Sequence, residues 1–195
     1  MTREELIEAA GAAFASHGYK GASLGVISEA LGVRKDSLFH HVKNKEMLYL
    51  EVLGGMLMSL GQLLQKAQLG EGDYVERLDR LGDLVVSFLG THPHAARLLY
   101  REMMDEGPFF TSGGREQALS TLQVLVDFLE EGIQSGALPK QDAHQLALSM
   151  VGLHFTWYAV ANLSGPLSGS DVFSAEALLH RKAEIQAQVR RICGA

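Results

Sequence analysis

Cysteine is almost absent from the sequence, with Cys193 as its only example. One thiol closes no disulfide within a chain, so the composition fits a reducing compartment and the expected location is cytoplasmic. Proline is scarce too, with 4 among 195 residues. Set beside long stretches of Leu, Ala, Glu and Gln, that scarcity points to an all-α class. Uninterrupted apolar runs of about 18 residues or more are missing, which argues against a membrane span. The opening segment MTREELIEAAGAAFAS reads as an amphipathic helix and lacks the basic-then-apolar order of a secretion signal. An excess of positive charge is missing as well, because the formal net charge is −6. What the chain does have is 47% hydrophobic content over 195 residues, enough to bury a core in one or two domains.

The charge is unevenly placed. Residues 1–50 hold six Lys/Arg against six Asp/Glu, so residues 51–195 carry the whole negative balance. Between positions 34 and 45, Arg34, Lys35, Lys43 and Lys45 face Asp36 alone. A positive edge on an acidic body fits a DNA reader whose remaining surface repels DNA. A solvated charged face explains the same residues if they are taken alone.

The stretch Ser23 to Lys45, SLGVISEALGVRKDSLFHHVKNK, organises the rest. Ser23 is suited to cap a helix running to about Leu31, on which Leu24, Ile27 and Leu31 form one stripe. Gly32 can end that helix in a left-handed conformation. A second helix of about two turns is expected over Lys35–His41, with Leu38 and Val42 inward. Lys35, Asp36, Ser37, Phe39, His40 and His41 then face outward or sideways. Such a surface is poor core material and suits a major groove, which admits one helix. The pattern is a helix-turn-helix.

Around it, a first helix over 3–16 begins with a Thr2…Glu5 capping box and stops at Gly18. From about Lys45 a long fourth helix is apolar on more than one face, so it must touch two bodies. Gly54, Gly55 and Gly61 inside it mark either close packing or a soft point. Further helices are expected over about 73–90, 93–106, 115–135, 141–164 and 174–192, about nine in all. The segment 107–114 reads as a glycine-rich loop exposing two phenylalanines, and Gly165, Pro166 and Gly169 as part of another loop. Residues 141–164 are apolar nearly all round, which places that helix at the centre or at an interface. Leu146, Met150 and Leu153 there, with Leu178, Ile185, Val189 and Ile192 on the last helix, give stripes suited to a four-helix contact between two copies. The expectation is a homodimer, with residues 1–46 as the DNA-binding domain and 47–195 as the ligand-binding and dimerisation domain.

The run Leu6 to Leu48 resembles the tetracycline-repressor (TetR) family of bacterial regulators. The match lies in the helix-one pattern ending Phe14…Gly18-Tyr19, the Gly32-Val33 turn, and Leu38-Phe39-His40-His41-Val42-Lys43-Asn44-Lys45 with Leu48. The resemblance implies a dimer on a palindromic operator in double-stranded DNA, and a small-molecule effector pocket in the C-terminal domain. By position, it places Lys35, Ser37, Phe39 and His40 near bases, and Ser23, His41 and Lys45 near phosphates. Phe39 stands where the family usually has Tyr, Gly25 and Val26 where polar residues are common, and Asp36 where small residues are frequent. These departures bear on which operator is read.

An effector pocket is expected where aromatic or polar groups interrupt apolar faces. The candidates are Tyr100, Met103, Met104, Phe109, Phe110, Phe128, His154, Trp157 and Tyr158, although each singly is more often core. Which face of the 141–164 helix lines a pocket and which meets a partner stays open. His92 and His94, two apart, do not share a helix face, and no metal-binding spacing supports them. No nucleophile beside a base stands out, so neither an enzyme nor a cofactor is indicated. The leading expectation is a repressor released by a small, mostly apolar molecule. The rivals are a DNA-binding regulator without an inducer and a ligand-binding helical protein that no longer reads DNA.

Overall fold

Thr2 begins the first helix as expected, its hydroxyl accepting from Glu5 N while the Glu5 carboxylate accepts from Thr2 N. The computed structural model describes residues Met1–Ala195 and contains ten α-helices. They are α1 (Arg3–Gly21), α2 (Leu24–Ala30), α3 (Lys35–Phe39), α4 (Lys45–Gln68), α5 (Tyr74–Thr91), α6 (Ala95–Asp105), α7 (Arg115–Gln134), α8 (Ala143–Ala159), α9 (Ala161–Ser168) and α10 (Ala175–Cys193). A single wide turn, Phe110–Gly114, precedes α7.

The chain packs as two units. The first joins Met1–Leu57 to His94–Ala118, and the second joins Met58–Pro93 to Leu119–Ala195. Packing therefore does not follow the chain-order division at residue 46. α4 contributes to both units, and α6 belongs with the first because it lies on α1.

In the first unit, Leu6, Phe14, Ile27, Leu38, Leu48, Tyr49 and Leu53 are buried together. Phe14 meets Tyr49 edge-on at 4.8 Å, and Tyr19 meets Tyr49 at 4.9 Å. At Gly18 the backbone leaves helical geometry (φ 70°, ψ 172°), which kinks α1 where a stop is expected and lets the chain run on to Gly21. Arg101 on α6 donates to Ala15 O at 3.1 Å, meeting a carbonyl that the kink frees. The 107–114 segment is more ordered than its glycines imply. Phe109 is buried, Phe110 is half-buried, and Gly114 leaves room for the Phe109 ring. Gly54 faces Phe109 and receives a bond from Gln117 on its carbonyl, while Gly55 faces open space, so only one of this adjacent pair serves packing.

In the second unit α5 packs against α8 and α10. Leu78, Leu81, Val86 and Leu89 of α5 are buried, with Leu146, Met150, Phe155 and Tyr158 of α8 and Ile185 and Val189 of α10. The expected 141–164 helix breaks. α8 ends at Val160 (φ −106°, ψ 37°), and α9 leaves it at 79°. The Ser164 hydroxyl bonds Trp157 O at 2.7 Å, satisfying a carbonyl at the α8 terminus. Residues 161–168, Gly165 and Pro166 included, are helical rather than loop, and Gly169 at φ 70° ends them. That extra helix accounts for ten where nine are expected. α4 is long and apolar enough to cross a bilayer by composition. Leu48, Tyr49, Val52, Leu53, Leu57 and Leu60 on it are buried in protein packing instead.

Candidate functional site

The reading surface is built from short-range rules. Ser23 caps α2 by accepting from Val26 N at 3.2 Å, and Gly32 turns the chain at φ 66°. Val33 N then bonds Ser28 O at 3.0 Å, closing the turn. α3 is shorter than expected, five residues ending at Phe39, with His40 and His41 in the following turn. Of its residues only Leu38 is buried. Lys35, Asp36, Ser37, His40 and His41 are exposed, and Phe39 is 49% exposed, a large aromatic held in water. Arg3 fixes this turn from below. Its Nη1 donates to His41 O at 2.7 Å, and its remaining fork pairs with Glu51 of α4.

Lys45 is placed differently from the other expected DNA contacts. Its ammonium donates to Tyr19 O at 2.8 Å and Ala22 O at 3.1 Å, and lies 4.4 Å from the Tyr19 ring centre. A lysine at a helix N-terminus opposes the helix dipole. Here it caps the C-terminal carbonyls of α1, and Lys35 and Lys43 are left as the exposed lysines of that edge.

The nine effector candidates do not gather at one place. Tyr100, Met103, Met104, Phe109 and Phe110 fall in the first unit, and Phe128, His154, Trp157 and Tyr158 in the second. Met103 and Met104 are exposed, Met104 at 77%, because the buried face of α6 is Ala95, Ala96, Leu98, Leu99 and Glu102. Phe128 stacks on Tyr74 at 4.8 Å as core. His154, Trp157 and Tyr158 do sit together on the last two turns of α8.

His154 is buried, and its Nδ1 lies 2.7 Å from Met150 O. A carbonyl only accepts, so Nδ1 carries the proton and Nε2 is a bare acceptor in the neutral ring. Nε2 has no partner, and neither does the buried Tyr158 hydroxyl. Burial pushes the His154 pKa down to about 4, with the charge of Arg181 adding to the effect. Burial likewise pushes Tyr158 up to about 12, against the pull of Arg181.

Arg181, on α10, is the residue the sequence reading misses. Its guanidinium carbon lies 4.8 Å from the Trp157 ring centre, Nη2 donates to Leu153 O at 2.7 Å, and its buried Nε has no partner. No carboxylate pairs with it among the ion pairs of the chain. Its signal is present in the sequence. Arg181 falls on the stripe Leu178–Ile185–Val189, a cation where the period calls for an apolar residue.

A second missed feature is a polar cleft of about 710 Å³ in the first unit, where His17, Tyr19, Tyr49, Arg101, Glu102 and Asp105 are among the lining residues. None of the nine candidates lines it. At its floor, buried Glu102 accepts from Tyr49 Oη at 2.6 Å and from Phe110 N at 2.8 Å. Burial and this carboxylate push the Tyr49 pKa well above the usual phenol value.

The stripes assigned to a partner chain need correction. Leu146, Met150, Ile185 and Val189 are buried inside the protomer, against α5. Leu153 and Leu178 are half-buried and Ile192 is exposed. The large apolar side chains that face out on α8, α9 and α10 are Leu148, Leu163, Leu167 and Leu179, Leu167 at 84%, together with Ile192.

Comparison with known proteins agrees with these two parts. Residues 6–52 match the model for bacterial regulatory proteins of the tetR family, and residues 75–189 match that for the tetracyclin repressor-like C-terminal domain. The HTH-type transcriptional repressor KstR2 of Mycolicibacterium smegmatis is 28% identical over 181 residues, 87% of this chain and 84% of that protein. The HTH-type transcriptional repressor AcnR of Corynebacterium diphtheriae is 25% identical over 184 residues, 92% and 88% of the two chains. The structure of the ketosteroid transcriptional regulator KstR2 of Mycobacterium tuberculosis superimposes with a TM-score of 0.76 at 22% identity, covering 98% of this chain and 93% of that one. The chain belongs to the TetR family, as a DNA-binding transcriptional regulator whose relatives are repressors.

Proposed function

We propose that the protein is a ligand-responsive repressor that binds a palindromic operator as a homodimer and leaves it when a small molecule enters the helices of the second unit. The observation that carries the DNA half is the face of α3. Five of its surroundings' polar side chains, Lys35, Asp36, Ser37, His40 and His41, and the Phe39 ring are held in water by a helix that buries only Leu38. Lys35 and Ser37 can donate to guanine or phosphate oxygens, and the Phe39 ring can pack on a thymine methyl. Ser23 uses its oxygen as the α2 cap, which leaves its hydroxyl proton for a phosphate.

Two such heads read two half-sites about 34 Å apart only if a dimer holds them at that spacing. The exposed Leu148, Leu163, Leu167 and Leu179 support an isologous contact through α8, α9 and α10. Release follows as a population shift: ligand binds better to a head spacing that no longer matches successive major grooves. α4, continuous from Lys45 to Gln68, is the covalent route for that shift. A gel shift with DNA from the protein's own promoter tests the proposal. A specific shift that Lys35→Ala with His40→Ala removes is expected, and equal binding of random DNA contradicts it.

A further inference from the structure

We infer that Arg181 and Tyr158, beside the neutral His154, form the seat for an acidic head group, so that the effector is an amphipathic monocarboxylate. The inference rests on the ligand-responsive reading above and names the chemistry of its ligand. Buried polar atoms in native proteins nearly always have partners, and those that do not call for a missing one. The second unit holds three such atoms, the donors Arg181 Nε and Tyr158 Oη and the acceptor His154 Nε2. They belong together because His154, Trp157 and Tyr158 share one face of α8 at i, i+3 and i+4, and Arg181 stacks on Trp157 and bonds Leu153 O beside His154. Gly82 of α5 brings its backbone close to this group, where a Cβ would meet Ile185 at 3.2 Å and His154 Nε2 at 3.7 Å.

Charge selects the ligand. Arg181 is a half-buried cation, its pKa lowered by burial against the opposing pull of Tyr158 and Glu184, and it makes no ion pair. Leaving its buried Nε–H without an acceptor is costly, and a bound anion supplies one. His154 is neutral and Tyr158 uncharged, so the seat balances one negative charge. A carboxylate supplies that charge with oxygens to accept from Arg181 Nε–H and Tyr158 O–H, and a phosphate dianion brings one charge too many. Trp157, stacked on Arg181, supplies an apolar wall for the adjoining carbon chain.

Trp157 is the only tryptophan, so its fluorescence reports this seat directly. Full-length protein is titrated with straight-chain carboxylates from hexanoate to tetradecanoate and with their methyl esters. Expected is a saturable change for at least one acid, with its ester weaker by about tenfold or more, since the ester lacks the charge. Arg181→Gln is expected to erase the preference for acid over ester, and Arg181→Lys to keep part of it. If Arg181→Gln does not fold by circular dichroism, Arg181→Lys and Tyr158→Phe, each weakening the acid more than the ester, decide instead. No saturable response to any acid, or acid and ester binding alike, overturns the inference. Operator affinity, read by anisotropy in the same titrations, separates the two readings. An acid that binds without weakening operator binding keeps the seat and removes the effector role. An ester that releases DNA as well as its acid keeps the effector role and removes the acidic seat.

Discussion

α3 holds its polar side chains in water around one buried anchor, Leu38, whereas α8 takes polar groups inside and leaves His154 Nε2 and Tyr158 Oη without partners. The first arrangement costs little, because water satisfies the groups until DNA replaces it. The second is expensive unless something else completes it. Both are binding surfaces. One waits for its partner in solvent, and the other carries an internal vacancy of hydrogen bonds.

That contrast can be broken most forcefully at Leu38. Truncation to Ala in a fully buried site is expected to cost about 3 kcal/mol in urea denaturation. The neighbouring Phe39→Ala is expected to change stability by less than about 0.5 kcal/mol. Operator affinity should fall in both variants. If Phe39→Ala destabilises as much as Leu38→Ala, the outward ring is structural.

The inward surface makes a pH prediction. The folded His154 pKa is lowered to about 4 from an ordinary 6.5, so the unfolded chain binds the proton first. The stabilising share is whole above pH 6.5 and is lost as pH falls toward 4, on the order of 3 kcal/mol. Stability curves of wild type and His154→Gln should therefore converge across that interval, and parallel curves would show that His154 titrates normally.

Smaller effects are expected where polar groups are already satisfied. Glu102→Ala removes the acceptor of Tyr49 Oη and Phe110 N, at an expected cost of about 2 kcal/mol. A loss of only a few tenths on chemical denaturation would mean that water replaces the carboxylate. Smallest is the lysine pair. Lys45→Met should cost about 1 kcal/mol in stability and leave the salt dependence of operator binding unchanged, because its ammonium is spent on α1 carbonyls. Lys35→Ala should do the reverse, lowering the salt slope by about 1 at unchanged stability. Exchange of these two outcomes would restore Lys45 to the DNA surface.

The helix-turn-helix is legible in the sequence because each of its parts is local. A capping Ser23, a turning Gly32 and inward Leu38 and Val42 are all fixed within a few residues of one another. The second unit is less legible for the same reason reversed. An apolar stripe announces burial without saying against what, so Ile185 and Val189 read as partner-facing until α5 is found covering them. Residues 141–164 are apolar on every side, and no period marks the break at Val160, which depends on the Ser164 hydroxyl reaching back to Trp157 O. Met103 and Met104 suit a pocket by type, yet the small and aliphatic residues of α6 take its buried face. Arg181 reads as surface charge until its place against Trp157, with Nε buried, is known.

Operator affinity measured by anisotropy, with and without the acid that saturates Trp157 fluorescence, for wild type and Arg181→Gln, joins the two surfaces in one experiment. Without ligand both proteins should bind the operator equally, since Arg181 is absent from the reading head. With ligand, wild-type affinity should fall by about tenfold or more and Arg181→Gln should hold. Equal affinities in all four conditions, or no specific operator binding by wild type, would contradict a repressor that reads DNA with α3 and its effector with α8 and α10.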